Sequence, residues 1–148
     1  HALKKHELKL ATAESCTGGG AAQLVTSVAG SSEWFDRGFV TYTNVSKREM
    51  LGVKTTTLSR FGAVSEQTAR EMADGAIAHS HAQVALAITG IAGPSGGTPE
   101  KPVGMVCFAW AGKKRATQSV KHHFTGDREA VRRQSIAVAL QGLLEFLR

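Results

Sequence analysis

Between Gly30 and Lys47 the chain carries a serine pair, Ser31 and Ser32, then Tyr42 and Lys47. These side chains suffice for hydrolysis of an amide without a metal. A serine hydroxyl attacks a carbonyl carbon when a base takes its proton, and a lysine amine is such a base when its surroundings keep it neutral. Tyr42 can relay the proton or orient the amine. Serine, tyrosine and lysine are common residues, so the spacing has a plain alternative. Ser32 would then cap a short segment, Tyr42 would sit at a strand edge and Lys47 would be a solvated helix lysine.

Two glycine-rich loops make the chemical reading stronger. The first, Ser15-Cys16-Thr17-Gly18-Gly19-Gly20, lies between a strand-like and a helix-like stretch; the second runs from Thr89 through Gly90 and Gly93 to Gly97. Glycine lets the backbone approach a ligand and turn its N–H groups inward. At a helix start those donors favour a phosphate or a developing oxyanion. A single glycine loop is usually only a tight turn, but two, each with hydroxyls and each after a strand, point to a site at the strand ends. Glu14 either orients a hydroxyl of that site or interacts with the start of the following helix. Neither loop carries a Walker lysine or the G-x-G-x-x-G pattern with its acid, which argues against ATP and dinucleotides. His79, His81, His122 and His123 lack a carboxylate or cysteine in ligand spacing, so no metal and no cofactor is predicted.

The elements that must position these residues alternate. Leu8 to Ala13 reads as a strand, Ala21 to Val28 as a helix and Trp34 to Tyr42 as a second strand. Asn44 is the expected N-cap of a short helix bearing Lys47 and Met50, which Gly52 ends. Ser65 and Glu66 open a longer helix with Ala69, Met72, Ala73, Ala76 and Ile77 on one face. Val84 to Ile88 is a buried strand, and Gly104 to Ala111 with Thr117 to Phe124 is an antiparallel pair joined at Gly112-Lys113-Lys114. Gly126-Asp127 begins the last helix, whose apolar stripe includes Val131, Ala139, Leu143 and Leu147. The prediction is one layered α/β/α domain over residues 1–148 with a mixed sheet of about five strands, residues 1–7 being a flexible or helical N-terminal remnant.

Composition narrows the partners. The 148 residues are 42% hydrophobic, the size of one domain with a proper core. The two cysteines resemble neither a disulfide framework nor a zinc site, and a reducing cytoplasm is the expected compartment. No apolar run is long enough to span a bilayer, so no membrane partner is expected. A formal charge of +6 favours anionic partners. The basic residues are scattered and there are few aromatics to stack on bases, so nucleic acid is not the expected partner. The apolar last helix and Trp34-Phe35 favour a homo-oligomer.

Taken together, Glu14-Ser15-Cys16-Thr17-Gly18-Gly19, Gly30-Ser31-Ser32, Tyr42-Thr43-Asn44 with Lys47, Gly62-Ala63-Val64-Ser65, Thr89 to Pro94 with Gly96-Gly97, Lys101 to Gly104 and Gly126-Asp127-Arg128 resemble the CinA C-terminal domain family from about residue 8 onward. The resemblance implies an amidase that converts nicotinamide mononucleotide to nicotinate mononucleotide and ammonia. It implies Ser32 as first choice of nucleophile with Ser15 as rival, Lys47 as base and Tyr42 as relay or orienting group. Ser15, Thr17, Gly18, Gly19, Asn44, Thr89, Gly90 and Gly93 would bind substrate, and Arg128 or Arg132 would meet its phosphate. A non-catalytic regulatory domain of the competence and damage response is the alternative, separated from the amidase by assay of ammonia release.

Overall fold

Strands β3 (Val84–Gly90) and β4 (Met105–Gly112) alternate large and small residues, and the alternation organises the core. Side chains along a strand point to opposite faces with a period of two. Val84, Leu86, Ile88, Val106, Phe108 and Trp110 therefore share one face. Ala85, Ala87, Cys107, Ala109 and Ala111 share the other. A bulky face and an alanine face accept helices at different depths.

The computed structural model describes residues 1–148. Its elements run α1 (Ala2–Lys5), β1 (Leu10–Glu14), α2 (Gly20–Thr26), a 3-10 turn (Ser31–Glu33), β2 (Phe35–Val40), α3 (Asn44–Leu51), α4 (Thr55–Phe61) and α5 (Glu66–Ala78), then β3, β4, β5 (Arg115–His123) and α6 (Arg128–Phe146). The five strands lie in the order β2-β1-β3-β4-β5. β1 is parallel to both β2 and β3, whereas β4 is antiparallel to β3 and to β5. This is the expected mixed five-stranded sheet in a layered α/β/α fold. Val25 of α2 and Val131, Ala139 and Leu143 of α6 pack on the bulky face. Leu51 of α3 and Met72, Ala73 and Ala76 of α5 pack on the alanine face. A Cβ on Gly75 would come within 2.0 Å of the Leu51 carbonyl oxygen, so α5 meets the end of α3 backbone to backbone.

Trp110 shows how tightly the bulky face closes. Its indole Nε1 donates to the Ala139 carbonyl at 2.9 Å, and a Cβ on Gly142 would fall 2.0 Å from the ring. Alanine in a helix gains about 1 kcal/mol over glycine in propensity, but overpacking a rigid core costs about 1–3 kcal/mol. Gly142→Ala is therefore expected to lower stability by up to about 2 kcal/mol, read as an earlier urea midpoint at unchanged m-value.

The topology also decides where chemistry can occur. Strands β1, β2 and β3 run the same way, so the loops after them emerge at one end of the sheet. β5 runs parallel to β3 through their shared antiparallel neighbour β4, and its exit brings the start of α6 to that same end. The 3-10 turn holding Ser32 precedes β2 and belongs to the opposite end.

Most expected elements are present, with shifted ends. The cap of α3 is Thr43 rather than Asn44: Thr43 Oγ1 accepts from the Ser46 N–H at 3.1 Å and Ser46 Oγ accepts from the Thr43 N–H at 3.0 Å. Asn44 is thereby the first helical residue. The unanticipated element is α4, which starts in a run of three threonines, poor helix formers. Its start is held from a distance, because Glu71 of α5 accepts from the Lys54 N–H at 2.8 Å and the Thr57 hydroxyl at 2.5 Å. A cap supplied by a residue in another helix leaves no local sequence signal.

Candidate active site

Lys47 is 1% exposed. The Thr43–Ser46 capping box fixes the first turn of α3 and turns Lys47 inward, where its Nζ lies 3.0 Å from Ser15 Oγ and 3.0 Å from the Thr41 carbonyl oxygen. The ion pairs of the structure, Lys4–Glu33, Arg37–Asp36 and Arg133–Glu129, do not include it. Burial therefore pushes the Lys47 amine below its ordinary 10.5. A neutral amine beside a hydroxyl can accept that hydroxyl's proton.

Ser15 is the first residue beyond β1, and its N–H donates to the Ile88 carbonyl of β3 at 3.0 Å. Its position is thus set by the parallel pairing of two central strands. The N–H groups of Cys16 and Thr17, next in the chain, donate to no backbone carbonyl. Donors directly after a nucleophile are where an oxyanion hole is commonly built. The Cys16 thiol is pushed up to about 11, chiefly by burial, and so stays protonated near neutrality. Of the side chains in this loop, Ser15 is the one hydrogen-bonded to Lys47.

Glu14 meets both of its readings, holding the hydroxyl of Thr17 and the start of α2. Its buried carboxylate accepts from the Thr17 hydroxyl at 2.6 Å and from the N–H groups of Ala21 and Ala22 at 2.8 and 3.0 Å. The protein's own carboxylate thereby occupies the donors at the start of α2. A substrate phosphate has no vacancy there, contrary to the expectation that this loop cradles an external anion through its helix start.

A cavity of about 270 Å³ opens at the same end of the sheet, lined by Ser15, Tyr42, Asn44, Lys47, Thr89, Gly90, Gly93 and Arg128 among the expected residues. Its only charged lining residues are Lys47 and Arg128. Arg128 donates through Nη1 to the Gly93 carbonyl and through Nη2 to the Tyr42 hydroxyl, each at 2.9 Å. Tyr42 is therefore held on the arginine at the cavity mouth. Thr89 donates its hydroxyl to the Ala63 carbonyl at 2.8 Å and ties the end of β3 to the α4–α5 connection. At Gly93, φ is 83° and a Cβ would stand 2.4 Å from Val103, so a side chain there would displace the loop that forms one wall.

Five expected site residues lie elsewhere. Ser32 is exposed on its 3-10 turn. The length of β2 separates that turn from the β2–α3 loop, about 20 Å at the usual rise per strand residue. The expectation that Ser32 pairs with Lys47 does not agree with this topology. Thr17 faces Glu14 rather than the cavity, and Gly18 and Gly19 form the left-handed turn into α2, with φ of 59° and 99°. Arg132 donates to the Thr17 carbonyl at 3.2 Å, behind the glycine loop. It lines a separate groove of about 620 Å³ between α2 and α6, which has no serine–lysine pair. Val64 and Ser95 line the cavity without having been singled out for it. Val64 stands within a block already marked by the family resemblance, whereas the Thr41 carbonyl that accepts from Lys47 carries no signal in residue type.

The fold thus sets a buried serine–lysine pair beside a cavity at the ends of parallel strands in an α/β/α domain. The CinA C-terminal domain profile matches residues 1–147, and the chain belongs to that family. It is similar to the nicotinamide-nucleotide amidohydrolase PncC of Enterobacter agglomerans, at 53% identity over 99% of this chain and 90% of that protein. It is also similar to the protein of the same name from Escherichia coli K12, at 53% identity over 96% of this chain and 86% of that one. Among solved structures, the competence/damage inducible protein CihA of Agrobacterium tumefaciens superposes with a TM-score of 0.95 at 48% identity, over 97% of this chain and 88% of that one. No helix of the structure is long and apolar enough to cross a membrane.

Proposed function

We propose that this chain hydrolyses the carboxamide of nicotinamide mononucleotide, with Ser15 as nucleophile and Lys47 as its base. The observation that carries the reading is the 3.0 Å approach of a buried lysine without a carboxylate partner to a serine hydroxyl. The names of the similar PncC proteins supply the substrate. Ser15 Oγ attacks the amide carbon while Lys47 Nζ takes its proton, and the N–H groups of Cys16 and Thr17 hold the oxyanion. The intermediate collapses as Lys47 returns the proton to the departing nitrogen, which leaves as ammonia. Water, deprotonated by Lys47, then attacks the acyl-serine and releases the nicotinate nucleotide. The pyridinium of the substrate is cationic and by like-charge repulsion further favours the neutral amine.

Arg128 is assigned to the phosphate, because it is the one cation of the cavity apart from the base. A guanidinium bonded to a carbonyl and a phenol gains by exchanging them for a phosphate, whose charge strengthens each hydrogen bond. Tyr42, released from Arg128, is then the nearest phenol available to orient the reacting groups. The direct test is release of ammonia and nicotinate mononucleotide by the purified protein. Arg128→Ala is expected to raise KM for the nucleotide about 10- to 100-fold, the worth of charge-assisted hydrogen bonds, and to leave turnover of the phosphate-free nucleoside unchanged. Equal losses on nucleotide and nucleoside would remove the phosphate role.

A further inference from the structure

Thr17 is gripped from two sides by groups that do not reach the cavity. Its hydroxyl donates to Glu14 Oε1 at 2.6 Å, and its carbonyl accepts from Arg132 Nη2 at 3.2 Å. Thr17 and Glu14 are each 1% exposed, so the hydroxyl–carboxylate contact is not shared with bulk solvent, whereas the half-buried Arg132 reaches its carbonyl from the groove between α2 and α6. Glu14 is anchored in turn by the Ala21 and Ala22 N–H groups of α2. The buried Nε of Arg132 has no acceptor, so the bond to the Thr17 carbonyl is the guanidinium's one link. A Cβ on Gly18 would stand 3.2 Å from Arg132 Nη2, which puts the arginine directly against the loop.

From this geometry we infer that Glu14, Thr17 and Arg132 form a clamp that positions the oxyanion donors of the Ser15 loop, a role distinct from binding substrate. The inference rests on the reading of Ser15 as nucleophile. The physical argument concerns rigidity. The Cys16 and Thr17 N–H groups have no backbone acceptor and Gly18 and Gly19 follow directly, so the loop's internal restraint is two turn bonds, Gly18 N–H to the Ser15 carbonyl and Gly20 N–H to the Thr17 carbonyl, each at 3.0 Å, neither of which holds those two donors. Donors stabilise a transition state without reorganisation only if their direction is fixed beforehand. The hydroxyl–carboxylate bond fixes the Thr17 side chain, and the arginine adds a second donor to a carbonyl that already accepts from the Gly20 N–H at 3.0 Å, so that Thr17 is held on both sides of its Cα. A displacement of the order of 1 Å is enough to cost about a hundredfold in rate.

The clamp is tested with Thr17→Val, which keeps the shape and removes the donor, and with Thr17→Ser, which restores it. Steady-state kinetics on nicotinamide mononucleotide, the pH profile and thermal melting are read for each. Thr17→Val is expected to lower kcat about 10- to 100-fold, with KM within about threefold and the pH of the rising limb unchanged. Thr17→Ser is expected to recover kcat to within about threefold of the parent. Arg132→Met, which alters neither the hydroxyl nor the carboxylate, is expected to lower kcat by a smaller factor, again at constant KM, and serves if Thr17→Val does not fold. A serine variant no better than valine, a loss confined to KM, or full kcat in both Thr17→Val and Arg132→Met would overturn the clamp. Absence of ammonia release by the parent protein would instead overturn the amidase reading itself and the clamp with it.

Discussion

Replacing Ser15 by alanine is expected to lower kcat for the amide by at least about a thousandfold, as loss of the nucleophile does in serine hydrolases. Ser32→Ala is expected to stay within about twofold of the parent, since a surface substitution remote from the chemistry carries little energy. The contrast is sharp because both serines stand beside a small-residue turn and both lie near a lysine in sequence or in space. Only Ser15 has Lys47 Nζ within 3.0 Å, with two N–H groups directly after it that meet no backbone carbonyl. Intact-protein mass after rapid quenching adds a second readout. A nicotinoyl-nucleotide adduct should accumulate on the parent if water attack is slow, and it should be absent from Ser15→Ala. A fully active Ser15→Ala protein would end the proposed mechanism, and an inactive, folded Ser32→Ala protein would return the nucleophile to the other end of the sheet.

Lys47→Met is expected to abolish turnover to a similar degree and, in the same protein, to reveal what the buried amine costs. In the parent, burial lowers the folded-state value of Lys47 below 10.5. Activity should therefore rise with pH to a limb lying below 10.5, where the amine becomes neutral. For stability, the unfolded chain binds the lysine proton more tightly than the folded one. Between the folded value and 10.5 the unfolded state holds more protons, so this group makes stability rise with pH, by at most about 1.4 kcal/mol per pH unit. Below that window the penalty is present in full. The thiols of Cys16 and Cys107, pushed from 9.0 to about 11, act in the opposite sense above 9.0, because the unfolded chain ionises first. The useful quantity is therefore the difference between parent and Lys47→Met across pH, in which the thiol contributions largely cancel. That difference should favour the methionine variant near neutrality and shrink as pH approaches 10.5. A difference independent of pH would mean that Lys47 is not destabilised by its burial.

Much of the frame was legible from residue order. The cap of α5 at Ser65 and that of α6 at Asp127 are local signals, and each accepts the N–H three residues on, from Thr68 and Ala130 at 3.1 and 2.9 Å. Gly52 ends α3 with φ of 70°, a backbone state that glycine adopts readily. What failed were readings that treated nearness in sequence as nearness in space. Ser32 is fifteen positions from Lys47, yet a whole strand lies between them. Ser15 is thirty-two positions away and touches it, because β1 and β2 are adjacent parallel strands whose exits coincide. Similarly, Arg128 and Arg132 are one helical turn apart on α6, and only their neighbours distinguish them. One meets Gly93 and Tyr42 at the cavity; the other meets the back of the Thr17 loop.

Residue types and their order were sufficient to read the family, the layered α/β fold and two glycine loops accompanied by serines and a lysine, since caps, periodicity and motif blocks are local properties. Which serine faces the lysine, which arginine faces the cavity and which carboxylate fills the start of α2 followed only from the folded chain. Those assignments depend on strand order and on the direction in which buried side chains pack, and both are set by contacts between segments far apart in sequence.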